Sequence, residues 1–164
     1  MAVFRKVFII VLLTFCFFTA EFILFDVFGQ WFDPNLLMLL IIFINLKLGI
    51  RYGLFAAFLA GLLKDSFAIG IFGANILSFI FCAYATVLVK RYFYEVEGSF
   101  LRILLAFTMS LLCVLVNYLA TSIFFGINFR EAIIFVMLPE VIATTFLVAF
   151  VFDNLKKISL KLAI

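Results

Sequence analysis

The chain has 164 residues, 69% of them hydrophobic and 13% charged, and its 12 Lys and Arg against 9 Asp and Glu leave a formal net charge of +3. Soluble domains sit near half apolar and a quarter charged, and a chain this short has too much surface for its volume to hide such an excess in one core. That argues against a water-soluble domain and against intrinsic disorder, and for an all-α, polytopic membrane helix bundle of about six transmembrane helices.

The first predicted span covers residues 7–28. Arg5 and Lys6 before an apolar run resemble a signal peptide, but Phe18-Thr19-Ala20 is a poor cleavage site and Glu21 interrupts the run without ending it. The segment reads as an uncleaved span that also targets the chain. Glu21 lies in its outer part, with Asp26 interfacial beyond it. Pro34 opens a second span, 34–48. A tight turn, Gly49-Ile50-Arg51-Tyr52-Gly53, leads into a third, 51–64. Their charge-free stretches, 34–46 and 52–63, hold 13 and 12 residues. Each covers only about 18–20 Å of a hydrocarbon core some 30 Å thick. Either Lys47 and Arg51 snorkel to the interface, or the hairpin is partly re-entrant and the count falls to five. A fourth span is predicted over 73–89. The fifth, 103–127, holds no charge, and the sixth, 132–152, is broken by Pro139-Glu140.

Cation placement orients these spans. With the N-terminus in the cytoplasm, ten Lys and Arg fall on the inner side and two, Lys64 and Arg130, on the outer. Such a bias in short loops follows the positive-inside rule and puts both termini in the cytoplasm. Trp31 and Phe32 fall at the outer interface, and Tyr52, Tyr92 and Tyr94 at the inner one, as interfacial aromatics do. The loops have no room for a catalytic domain. The basic residues come in pairs at segment ends, not in a stripe for nucleic acid.

The absence of His excludes a His-based metal site, a Ser-His-Asp triad and a histidine proton relay. Cys16, Cys82 and Cys113 lie inside apolar runs, fit no thiolate metal spacing and read as buried free thiols. No nucleophile motif, phosphate loop or dinucleotide fingerprint is present, so neither an enzyme nor a cofactor is expected. The 26 phenylalanines read as lipid-facing and interhelical filler, with an aromatic cage as the minority reading.

In lipid, ionisable residues and helix breakers are the functional candidates. Gly53, Ala57 and Gly61 recur at i+4 and end at Asp65, with Ala56 and Ala60 widening the stripe. Small residues admit a close neighbour helix, either from this chain or from a partner. Asp65, Gly70, Gly73 and Asn75 would shape the outer turn. Asp65 or Ser66 would cap nearby amides, the other reading being a ligand or partner contact. Pro139 removes a helix hydrogen bond and would kink the last span, as Pro34 sets the geometry of the second. Glu140 must face the interior, as an interhelical hydrogen bond to Thr144, Thr145 or Asn117, or as a proton-coupling group. No intramembrane basic partner is apparent for Glu21 or Glu140, so no ion pair is predicted for either.

Pro34-Asn35-Leu36-Leu37, Lys47-Leu48-Gly49-Ile50-Arg51-Tyr52-Gly53, Phe58-Leu59-Ala60-Gly61-Leu62-Leu63-Lys64-Asp65, Gly70 and Phe72-Gly73-Ala74-Asn75 form a series. It resembles the rod shape-determining protein MreD family of bacteria. The resemblance covers the whole chain in length, spans and short tails. Glu21 stands where members often carry Gln, and Thr144 or Thr145 where they carry Asn after the last proline. The resemblance implies a non-enzymatic scaffold of the bacterial cytoplasmic membrane that binds MreC. Through MreC it would connect with the filament MreB and with the wall-synthesising transpeptidase and glycosyltransferase. It also implies a fold similar to the substrate-binding subunits of energy-coupling-factor vitamin transporters. Membership of that class is the alternative function, with a pocket built by Glu21, Asn75 and Glu140.

Overall fold

The computed structural model describes residues 2–29, 32–67, 71–92, 99–125 and 138–162, which are helical apart from short connections. Six helices account for them: α1 (Ala2–Phe28), α2 (Leu36–Leu48), α3 (Ile50–Phe67), α4 (Ala74–Tyr92), α5 (Ser99–Phe125) and α6 (Leu138–Leu162). No strand occurs among the described residues. α1, α3, α4 and α5 overrun the predicted spans, and α6 continues to Leu162, past its predicted end. The predicted start of the sixth span, Gly70 and Trp31 lie outside the described residues.

The helix ends follow from local chemistry. Gly29, Gly49 and Gly73 have φ of 69°, 91° and 101°, the left-handed region that a residue without Cβ enters at no steric cost. Gly49 alone joins α2 to α3. Its N–H donates to Asn45 O at 3.1 Å and its carbonyl accepts from Gly53 N at 3.1 Å, so one residue closes one helix and opens the next. Pro34 precedes α2, and Asn35 caps it by accepting from Met38 N at 3.1 Å.

Contacts between helices set their directions. α1 and α3 run the same way: Lys6 Nζ lies 6.0 Å from the Tyr52 ring centroid near their starts, and Glu21 meets Lys64 near their ends. The ends of α1 and α3, Asn117 of α5, and the starts of α2, α4 and α6 share polar contacts. The six helices therefore alternate in direction. We call the end that collects these contacts the outer end, as the cation count predicts.

α2 is the centre. It touches each of the other five helices, and every residue from Leu36 to Asn45 is buried. A helix apolar all round belongs inside a larger assembly. α3 packs against it and α4 through Gly53, Ala56, Ala57, Ala60 and Gly61, all buried. By contrast α1 leaves Phe4, Phe8, Phe15 and Phe22 exposed. Cys82 and Cys113 are buried as expected, but Cys16 is exposed. It sits on the outward face of α1, because an apolar neighbourhood in sequence does not distinguish core from lipid surface.

By length and composition, Val3–Phe28 is the one described helix sufficient by itself to cross a membrane. Leu36–Leu48, Ala74–Val89 and Ile103–Leu119 are apolar but shorter, and Leu138–Val148 and Phe150–Lys157 qualify together across a 44° bend. That bend lies more than a turn beyond Pro139. The turn that Pro139 itself would kink lies outside the described residues.

Candidate functional site

The outer end holds a buried polar system, and its first task is backbone accounting. A helix start leaves four N–H groups without partners inside the helix, and away from water each needs one. At the start of α2, Leu36 N donates to Pro34 O at 2.9 Å and Leu39 N to Asn35 O at 3.4 Å. Met38 N goes to Asn35 Oδ1, and Leu37 N donates to Glu21 Oε2 of α1 at 3.2 Å. The start of α4 repeats the plan. Ala74 N donates to Ile71 O at 3.2 Å and Leu77 N to Gly73 O at 2.9 Å. Asp65 of α3 takes Asn75 N at 3.1 Å and Ile76 N at 3.2 Å, along with Gly73 N at 3.0 Å. In both cases all four groups are satisfied, and in both a carboxylate from the preceding helix completes the set. The positive end of a helix dipole favours a negative group there.

Side-chain bonds then add three groups, Glu21 with Lys64, Asn35 with Glu140 and Thr144, and Asp65 with Asn75 and Asn117. Glu21 Oε1 receives Lys64 Nζ at 2.7 Å, with the two side chains 8% and 24% exposed. Glu140 and Asp33 also lie within electrostatic reach of Lys64. Asn35 Nδ2 donates to Glu140 Oε1 at 2.8 Å, and Asn35 N donates to Thr144 Oγ1 at 2.9 Å. Asp65 Oδ1 accepts from Asn75 Nδ2 at 2.9 Å, and Asn117 Nδ2 donates to Asn75 Oδ1 at 3.0 Å. The predicted candidates Glu21, Pro34, Asp65, Gly73, Asn75 and Glu140 thus gather at one end, with Pro139 beside Glu140.

Two expectations need correction. Glu21 does have a basic partner, Lys64. The pairing was hidden because the residues are 43 positions apart and Lys64 looks interfacial in sequence, whereas its long stem carries the ammonium inward. The side-chain carboxylate of Glu140 is bonded by Asn35. Thr144 serves the Glu140 backbone carbonyl, at 2.6 Å, and Thr145 the carbonyl of Val141. Sequence reasoning thus passed over Lys64 and Asn35, and it assigned Thr144 and Asn117 to the Glu140 side chain, whereas Thr144 accepts from Asn35 N and Asn117 donates to Asn75. Asn35 had a readable signal, an Asn after proline at the head of an apolar run; Lys64 had none beyond its predicted depth.

The small-residue stripe sits beside this system. A Cβ on Gly61 would stand 2.5 Å from Ile76 Cα and 2.8 Å from Ile76 N, so the backbones of α3 and α4 meet there. A Cβ on Gly53 would stand 2.8 Å from Asn45 Cγ. Asn45 is buried on α2, donates through Nδ2 to Ala83 O of α4, and has an Oδ1 with no hydrogen-bond partner among the described residues. Ala57 is fully buried between these points.

The arrangement can hold helices in register; among the described residues no group of three or more His, Cys, Asp or Glu side chains could hold a metal ion. A search of curated proteins and a search of solved structures each find no match. Residues 2–158, nearly the whole chain, match a family model described as rod shape-determining protein MreD. A chain of apolar helices held by interhelical polar bonds suits a structural part in a membrane, and by that match this chain belongs to the MreD family of shape-determining membrane proteins.

Proposed function

We propose that this protein is a multi-pass scaffold of the rod-elongation machinery in the bacterial cytoplasmic membrane. It crosses the bilayer six times with both termini in the cytoplasm. It binds MreC directly, and through that contact joins the MreB filament to the transpeptidase and glycosyltransferase that build the wall. The family match over residues 2–158 is the observation that carries this reading. Two structural features support it. Between Arg5 and Asp26 the exposed surface of α1 is apolar but for Thr19, as suits a lipid- or helix-facing surface. The described Lys and Arg other than Lys64 all lie near the end opposite the polar system, in keeping with a cytoplasmic face.

The transporter reading draws its pocket from Glu21, Asn75 and Glu140. In this structure each of the three is bonded to another helix of the same chain, which favours a framework over a ligand-binding wall. Affinity capture of the full chain from bacterial membranes, followed by mass spectrometry, tests the proposal. Recovery of MreC is expected, and depletion of the protein should turn rods into spheres. Recovery of a stoichiometric small molecule without MreC would overturn it. An impermeant thiol reagent should fail to label a cysteine engineered at either terminus in intact cells.

A further inference from the structure

We propose that the outward face of α4 is a homodimer contact: a second copy of this chain packs on it, and the two Tyr84 hydroxyls hydrogen-bond to each other inside the bilayer. The contact rests on the multi-pass topology proposed above, which sets α4 across the hydrocarbon. The two sides of α4 differ plainly. Asn75, Ser78, Phe79, Cys82, Ala83 and Thr86 are buried against the bundle, whereas Leu77, Phe81, Tyr84 and Leu88 are each at least half exposed. These four are spaced by four, three and four residues, so they fall on one narrow stripe. That spacing is the a/d pattern of a seam between two helices.

Tyr84 is the residue that acyl chains cannot satisfy. It is 51% exposed and has no hydrogen bond among the described residues. Along the axis of α4 (Ala74–Tyr92) it stands about 15 Å from the first residue and about 12 Å from the last, near mid-membrane. Membrane tyrosines ordinarily sit at the interface, with the hydroxyl in water. The exposed hydroxyls of Thr19, Ser66, Thr108 and Ser122 each donate to a carbonyl three or four residues back on their own helix. A tyrosine hydroxyl, at the far end of a rigid ring, lies beyond those carbonyls and needs a partner from another helix. A second copy supplies one. Copies insert in the same orientation, so a two-fold axis along the membrane normal sets α4 beside its copy at equal depth, and residues near the axis meet their own kind. A hydroxyl both donates and accepts, so Tyr84 is its own complement: one of the pair donates and the other accepts. No charged side chain lies on the stripe to oppose its copy.

The test uses the full-length chain reconstituted in lipid vesicles over a series of protein-to-lipid ratios, with the dimer fraction read by energy transfer between labelled copies. A reversible dimer is expected. Tyr84→Phe, which keeps the ring at an exposed position, should weaken it by about 3–20-fold, and Phe146→Leu on α6 should leave it unchanged. Thiol cross-linking in membranes, in a chain carrying Cys16→Ser, locates the contact. Leu77→Cys and Leu88→Cys should each give a disulfide-linked dimer, and Phe22→Cys on α1 and Phe146→Cys on α6 should not. A monomer at every ratio overturns the proposal, as does a dimer cross-linked through α1 or α6. Unchanged affinity in Tyr84→Phe overturns the hydroxyl pair. Capture of MreC is scored on the same variants. Its loss in Tyr84→Phe would make α4 the seat of a partner helix and overturns the second copy as occupant. A dimer that captures no MreC supports the α4 contact and counts against the scaffold, whereas a monomer that captures MreC counts against the contact alone.

Discussion

α1 and α2 are both almost wholly apolar, yet they occupy opposite situations. α1 has 27 residues and turns Phe4, Phe8 and Phe22 outward, with Phe4 79% exposed. α2 has 13, and Leu37 to Ile42 are all 0% exposed. α2 carries one charge and α1 four, so the more apolar helix is the inner one, as it would be in water. In lipid, however, apolarity alone does not bury a helix, because acyl chains solvate leucine as well as another helix does. What places α2 at the centre is its neighbours. Small residues on α3 let it approach, Glu21, Asn35 and Thr144 hold its start, and Asn45 ties its last turn to α4.

If this contrast is right, substitutions should cost much where they touch the surroundings of α2 and little on the outer face of α1. Gly61→Leu should have the largest effect. The new side chain meets the Ile76 backbone, which cannot rotate away, so a loss above about 3 kcal/mol is expected. It reads as loss of monodisperse protein on size exclusion in detergent, whereas Leu62→Phe beside it should be mild. A wild-type elution profile for Gly61→Leu would break the contrast at its strongest point.

Lys64→Met comes next. It leaves the Glu21 carboxylate buried without its cation, which costs about 3–5 kcal/mol when one partner of a buried pair is removed. Adding Glu21→Gln should recover part of the loss in thermal unfolding, since Gln can still accept from Leu37 N. No recovery would mean that the pair acts independently of the α2 start. Asp65→Ala strands the Asn75 and Ile76 amides of α4 and should cost about 2–3 kcal/mol; Asp65→Asn, which keeps one acceptor, should cost less. At the small end, Phe15→Leu and Phe22→Leu on the outer face of α1 should shift stability by less than about 0.5 kcal/mol. A larger shift in purified protein would mean that α1 is not simply solvated there.

Asp65 and Glu21 show where sequence reading succeeds and where it stops. Both carboxylates cap a following helix. Asp65 reaches amides eight to eleven residues away across one turn, so a cap at that turn was readable. Glu21 reaches Leu37 across a connection and Lys64 from a third helix. Which cation lies beside which carboxylate depends on how α1 and α3 align, and nothing local to either residue carries that. Asn45 failed to register for the same reason: a single Asn in an apolar run looks incidental until Gly53 and Ala83 are seen on either side of it.

The sequence by itself determined the all-helical class, the helix-forming segments with their glycine turns, the cation asymmetry and the membership of the MreD family. These depend on composition, on short-range backbone chemistry and on patterns along the chain. Tertiary structure alone decided which apolar helix is central, and that Glu21 meets Lys64 and Asn35 meets Glu140 at one end of the bundle. The physical reason is that in a bilayer hydropathy no longer separates inside from outside. Burial is set instead by close approach and by polar groups that must find partners, and those partners come from distant parts of the chain.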